Sequence, residues 1–206
     1  DSINVATFPT FSALYVASDR ATALQETLGQ IDPSLGGKLT AAEMALMNPQ
    51  SETIVSVSGQ LESVFDLRSP KFLQPFVELV KDFTLSKELL SDAKRLASPL
   101  RIARTADELL NILLAPDWRV NPMQLDVPAP SQIFGQIAAA SGIEGILYSS
   151  KFTGSDCLAI FPSNLVASTS YLQLDDATPH PRVPTRVDSS NWQLCELTPD
   201  AIIRAP

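Results

Sequence analysis

Two side chains near the start of the chain have types and positions that could do chemistry. Tyr15 puts a large ring with a polar tip into the otherwise aliphatic stretch Leu14-Tyr-Val-Ala17, and Glu26 follows in the segment that comes next. That segment reads as a helix from Ser18 and Asp19, both N-cap residues, to about Gln30, with Gly29 available to break it. Glu26 falls in its last turn, where a carboxylate meets the negative end of the helix dipole. It lies off the face of Leu24 and Leu28 and shares a stripe with Thr22 and Ala23. Both residues also have a plain reading. Tyr15 fits an ordinary core position, and Glu26 a solvated surface charge, the commonest fate of a helical glutamate.

The remaining reactive groups are few. His180 is the only histidine and stands between two prolines in a polar tail, a poor place for a catalytic imidazole that must be held by packing and by supporting hydrogen bonds. Cys157 and Cys195 form no CxxC pair, and with one histidine they cannot supply the roughly four ligands of a structural zinc site. Cys157 lies in the apolar run Cys157-Leu-Ala-Ile-Phe161 and reads as a buried small hydrophobe. The chain has no GxxxxGK[ST], no GxGxxG after a strand, no GxSxG and no HExxH.

The elements that must position these residues follow from pattern. Leu14 to Ala17 has no polar alternation, as in a strand covered on both faces. Thr40-Ala-Ala-Glu43 has the form of a capping box. Thr53 to Ser58 and Leu61 to Leu67 alternate and read as two strands, or one bent strand, with Gly59 at the bend. Ser69-Pro70 opens a helix whose expected buried face is Phe72, Phe76, Val77 and Val80. Two amphipathic helices are expected over Leu85 to Leu96 and Thr105 to Leu114, with Lys87, Lys94, Arg95 and Arg104 as solvated cations. Asn121 to Pro130 reads as a Pro-rich loop. Ser131 is the expected cap of a further helix with face Ile133, Phe134 and Ile137, stopping near Ser141-Gly142. Ile143 to Ser149, Cys157 to Phe161 and Tyr171 to Leu174 read as strands, with a turn at Thr153-Gly154. From Asp175 the chain is rich in Pro, Thr and Ser and reads as an extended arm.

Strands and helices are mixed without strict βαβ alternation, so the class is α+β. A length of 206 residues with 45% hydrophobic content fits one domain with a sizeable core. The balance of 15 basic against 23 acidic residues, net −8, argues against nucleic acid or an anionic membrane as partner. No apolar run approaches a membrane span and no signal-peptide pattern opens the chain, which makes cytoplasm the default location. The first residue is Asp1 rather than Met, which suggests a processed or truncated form of something longer.

Four stretches, in order, resemble the RES-domain family, named for its Arg, Glu and Ser. Leu14-Tyr-Val-Ala-Ser-Asp with Thr22-Ala-Leu-Gln-Glu26 is similar to the family's strand–helix segment ending in Ala-Leu-x-Glu. Ile54-Val-Ser-Val with Leu61-Glu-Ser-Val-Phe-Asp-Leu-Arg-Ser-Pro70 resembles the strand pair closing on "LDLTDP". Pro130-Ser-Gln with Ile137-Ala-Ala-Ala-Ser-Gly-Ile-Glu-Gly145 is the third. Ile146-Leu-Tyr-Ser-Ser-Lys with Gly154-Ser-Asp-Cys-Leu-Ala-Ile-Phe-Pro162 is similar to "GLxYPS…GGxNLVLF".

The resemblance implies a single domain like the ADP-ribosyltransferase fold, with mixed and antiparallel strands and several packed helices. Residues 1–165 would form the RES-like unit, with a helical insertion over about 69–116, and residues 166–206 a Pro-rich arm packed on it. The implied activity is cleavage of the nicotinamide–ribose bond of NAD, with no metal. Such proteins are commonly toxins neutralised by an Xre-type antitoxin, so the implied partners are NAD, that antitoxin and a second copy of the chain. The family's Tyr falls on Tyr15, its Glu on Glu26 and its Ser on Ser150, with Ser149 the alternative alignment. Tyr15 would stack on or hydrogen-bond the dinucleotide, Glu26 would stabilise the oxocarbenium-like ribose, Ser150 would bond the nicotinamide side, and Lys151 would face the pyrophosphate. Phosphate, water and a protein all stay open as acceptors, as does a non-catalytic binding module. The family's leading Arg lies upstream of the Tyr, and no Arg precedes Tyr15: either that segment lies ahead of Asp1 or this member has lost it.

Overall fold

The computed structural model describes residues 6–28, 53–96, 100, 102–115, 123, 125–167, 169–181 and 183–195. The capping box at Thr40 to Glu43 lies outside them. Among these residues seven strands form two sheets. The first has the order β1 (Leu14–Ala17), β5 (Asp156–Ile160), β4 (Gly145–Ser149) and β3 (Val64–Asp66). The second has the order β2 (Val57–Gln60), β6 (Tyr171–Leu174) and β7 (Arg186–Asp188), all antiparallel. In the first sheet only β3 and β4 run parallel, as their long helical crossover requires.

That crossover holds α2 (Gln74–Val80), α3 (Lys87–Arg95), α4 (Ala106–Leu113) and α5 (Pro130–Ala140), while α1 (Arg20–Leu28) follows β1. No described helix is long and apolar enough to cross a membrane. Alternation divides the first sheet cleanly. One face carries Phe11, Phe65, Ile146 and Phe161 into a core with Leu73, Leu113, Phe134 and Ala138 of the helices and their approaches. The other carries Val16, Leu158 and Ile160 against Leu172 and Val187 of the second sheet, with Leu165 between them. The arm expected after Asp175 thus supplies β7, whose Val187 is buried in this second core.

Several elements depart from the sequence pattern for physical reasons. Gly59 lies inside β2 rather than at a bend. A Cβ there would sit 2.3 Å from the Tyr171 carbonyl oxygen, so the close approach of β6 requires glycine. The chain turns instead at Leu61 to Ser63, where the buried Glu144 carboxylate accepts from the backbone N–H groups of Glu62 (2.5 Å) and Ser63 (3.1 Å). Residues 70–73 form a 3₁₀ turn before α2. Its three residues per turn rotate the helix, so Leu73 and Val77 are buried while Phe72 and Val80 are exposed. In α5 the cap residue is Ala129, not Ser131, with Pro130 at the first position and the Gln132 side chain accepting from the Ala129 N–H at 2.8 Å. Phe134 and Ala138 are buried there, and Ile133 and Ile137 are exposed. The helix turns toward the aromatic cluster, and Gly135 lets the Phe11 ring approach, since a Cβ would lie 2.6 Å from it.

Candidate active site

Register brings the singled-out residues to one face of the first sheet. Tyr15 pairs with Ala159, which pairs with Ile146, while Ala17 pairs with Cys157, which pairs with Tyr148. The helix-covered face therefore presents Tyr15, Ala17, Cys157, Ala159 and Tyr148, and the next residue with that parity after Tyr148 is Ser150.

Helix α1 is docked by its polar stripe. Thr22 is fully buried, its N–H donates to Asp19 Oδ1 (2.9 Å) and its hydroxyl donates to Asp19 Oδ2 (2.7 Å). Because the Thr22 proton goes to Asp19, the 2.8 Å contact between the Thr22 and Thr153 hydroxyls is donated by Thr153. Thr153 in turn accepts from the Ser155 N–H at 3.2 Å. A hydrogen-bond chain thus runs from the β4–β5 turn to the cap of α1, and it holds the Asp19 carboxyl below its ordinary value. Glu26 lies one helical turn beyond Thr22 on the same stripe. It is half-buried, not a solvated surface charge.

Electrostatics locate the Glu26 carboxylate. Burial pushes the Tyr148 hydroxyl pKa up, and the charge of Glu26 pushes it further. The same two causes, in the same order, push the Cys157 thiol up to about 11. Cys157 is therefore a protonated, inert thiol at neutral pH. Tyr15 is 65% exposed, yet the protein mass around its hydroxyl pushes that pKa up as well. The side chain is thus open to a ligand although protein lies around it.

Ser150 is buried at the end of β4, where its Oγ accepts from the N–H groups of Phe152 (3.1 Å) and Thr153 (3.3 Å). Its carbonyl accepts from the Gly154 N–H at 2.9 Å, which closes the turn. Ser150 is thus the acceptor that shapes the turn, and no described residue takes its hydroxyl proton. Ser149 pairs with Asp156 and falls on the opposite face, beside the Arg68 guanidinium that bridges Asp66 and Asp156 at 2.9 Å each. Lys151 donates from Nζ to Asn111 Oδ1 of α4 at 3.1 Å, which leaves two of its ammonium protons for another acceptor. Register and alternation place Tyr15, Tyr148 and Ser150 on one face of the sheet and Ser149 on the other. Tyr148 was not among the sequence candidates, although strand alternation from Ser150 places it on the face of Tyr15. Among the described residues no group of three or more His, Cys, Asp or Glu side chains is placed to hold a metal ion.

An α+β domain with a half-buried carboxylate, two tyrosines and a serine-capped turn at one end of a mixed sheet is the class this architecture defines. The chain belongs to the RES domain family, which it matches over residues 76–185. The match takes in Tyr148, Ser150 and the crossover from Phe76 onward, and it runs beyond Pro162 to Thr185, the residue before β7; Tyr15 and Glu26 lie ahead of it. No curated protein and no solved structure matches the chain.

Proposed function

We propose that this protein cleaves the nicotinamide–ribose bond of NAD. The observation that carries this reading is the half-buried Glu26 carboxylate, turned onto the sheet beside Tyr148 at the end where Ser150 shapes the turn. As the C–N bond breaks, its electron pair goes to the ring nitrogen and nicotinamide leaves neutral, so positive charge grows on the ribose. A fixed carboxylate in a partly dry site stabilises that charge far more than water would. An acceptor oxygen then forms the new bond to the anomeric carbon and gives up its proton. Tyr15 offers its open ring to the dinucleotide, Ser150 its unused hydroxyl proton, and Lys151 its two remaining ammonium protons to the pyrophosphate. The reaction needs no metal.

The acceptor is phosphate in the leading form, which makes the protein an NAD phosphorylase, and water in the glycohydrolase form. Transfer of ADP-ribose to a protein uses the same Glu26. The biological setting we propose is a cytoplasmic toxin restrained by an Xre-type antitoxin. The test is NAD consumption by the purified protein with products identified, in phosphate and in phosphate-free buffer, beside Glu26→Ala and Ser150→Ala. Phosphate-dependent loss that Glu26→Ala abolishes supports the phosphorylase, and phosphate-independent loss the hydrolase. Bound but unconsumed NAD in both buffers leaves only a binding module.

A further inference from the structure

The helix that carries Glu26 is fixed to the sheet through a pair of hydroxyls. Among the described side chains of α1 only Thr22 is buried, and its hydroxyl accepts from that of Thr153 at 2.8 Å, across 131 residues of sequence. No ion pair among the described residues involves α1. A purely apolar pair would let the helix slide over the strands, whereas a hydrogen bond prescribes both distance and direction. Thr153 is itself pinned: its N–H donates to Ser150 Oγ at 3.3 Å, and its Oγ accepts from the Ser155 N–H at 3.2 Å. The Ser150 N–H donates to the Ser155 carbonyl oxygen at 2.8 Å and braces the same turn. One hydroxyl thus joins the turn shaped by Ser150 to the helix of Glu26. From this geometry we propose that Thr153 is a positioning residue: its bond to Thr22 sets the place of α1 over the sheet, and so the place of the Glu26 carboxylate one helical turn further on. The proposal rests on the nucleotide-cleaving reading above, and in it Thr153 touches no reacting atom.

The chemistry makes this placement matter. An α-helix is stiff over a single turn, so a displacement at Thr22 is carried whole to Glu26, about 6 Å along the axis. A carboxylate stabilises the growing ribose charge only if it is already in place when the charge develops. A misplacement of about 1 Å is enough to lower a rate by about a hundredfold. Binding of the ground-state dinucleotide is spread over other contacts and depends less on Glu26, so a shifted α1 lowers kcat more than it raises KM. Loss of the Thr153 hydroxyl leaves no buried donor stranded, because the Thr22 hydroxyl still donates to Asp19 and the Ser155 N–H lies in an exposed turn.

The experiment compares the full-chain protein with Thr153→Val, Thr153→Ser, Thr22→Val, Glu26→Gln and the double variant Thr153→Val/Glu26→Gln. It measures kcat and KM for NAD loss, and thermal melting. Thr153→Val keeps the shape and drops the hydroxyl, so kcat falls by about tenfold to about a hundredfold while KM stays within about threefold. Thr22→Val removes the same bond from the other side and shows the same split between kcat and KM. Thr153→Ser keeps the donor and restores kcat to within about threefold of the parent. In the Glu26→Gln background Thr153→Val adds less than about threefold, because the residue it serves is already gone. An equal loss in both backgrounds, or a loss that follows the melt and that serine does not repair, makes the hydroxyl pair a structural brace and overturns the proposal. If the parent consumes NAD, Glu26→Gln impairs it and Thr153→Val does not, the proposal alone fails. A parent that leaves NAD unconsumed overturns the reading of the whole site and this proposal with it.

Discussion

The two ends of one face of the first sheet are built on opposite principles. At one end Phe65, Phe76 and Phe134 meet edge to face with centroids 5.1 to 5.9 Å apart, and Phe11 meets Phe161 in the same way at 5.6 Å. Each ring there has its complement of apolar partners. At the other end the sheet carries Tyr15, exposed over most of its surface, Glu26 with no salt bridge to a described residue, and the half-buried Tyr148. The buried Gln25 Oε1 of α1 also lacks a partner among the described residues. Packing is saturated in one half, and polar capacity is left unspent in the other. Folding alone does not reward the second arrangement, so its reward is sought in binding.

The sharpest way to break the contrast is to damage the saturated end. Phe134→Ala removes a ring that touches both Phe65 and Phe76, and the expected cost is about 3–5 kcal/mol of stability, read as a large fall in Tm. The folded fraction should keep its NAD turnover. A selective loss of turnover with an unchanged melt would show that the aromatic end takes part in the chemistry. The mirror experiment is Glu26→Gln. It should leave the melt unchanged or slightly raised, because a carboxylate in the last helical turn opposes the helix dipole. Turnover should fall by about a hundredfold to about a thousandfold, the range for loss of one preorganised electrostatic partner of a developing charge.

Ser150→Ala tests the seam between the two ends. It strips the acceptor from the Phe152 and Thr153 N–H groups, so stability should fall by about 1–3 kcal/mol. Turnover should fall with it, because the same turn carries Thr153, which holds α1 through Thr22. A drop in turnover with an unchanged melt would make Ser150 a ligand-contacting hydroxyl alone.

How much of this was legible in the sequence depended on where the deciding partner sat. The Asp19 cap and α1 are set by neighbours in sequence and formed as their residue types predict, whereas β1, expected to be covered on both faces, is an edge strand with Leu14 and Tyr15 exposed, because no described strand lies beyond it. Tyr171–Leu174 is a strand, as expected. The buried faces of α2 and α5 were right at Phe76, Val77 and Phe134 and wrong at Phe72, Val80, Ile133 and Ile137, which satisfy helical periodicity as well as the residues actually buried. Only the aromatic cluster, assembled from distant segments, chooses between them. Gly59 looked like a bend because its partner Tyr171 is remote. Tyr148 was passed over for a different reason: a tyrosine in an apolar strand reads as core until Glu26, from another element, is laid beside it. Pattern gives the elements, but the site is made by contacts between them, and those were read only through the family resemblance.

The smallest expected effect concerns what keeps α1 in place. The Thr22 N–H and hydroxyl both donate to the Asp19 carboxylate and hold its pKa below the ordinary 3.8. A carboxyl depressed in the folded state contributes stability that is present above its unfolded value and lost as pH falls through its folded value. Asp66, hydrogen-bonded by Arg68, and Asp188, hydrogen-bonded by Ser190, shift in the same direction and add to the same slope. Tm should therefore decline as pH is lowered from about 5 towards about 2. Asp19→Asn keeps an oxygen for the Thr22 N–H but carries no charge to lose, so its Tm should start lower at neutral pH and decline less steeply. Of these carboxylates Asp19 is the one bonded to the Thr22 that ties α1 to the sheet, so the acid-sensitive step should be the release of α1 from Thr153. Fluorescence of Tyr15 and Tyr148 should then change at a higher pH than far-UV circular dichroism. Coincident transitions would mean that the two ends, however differently built, unfold as one cooperative unit.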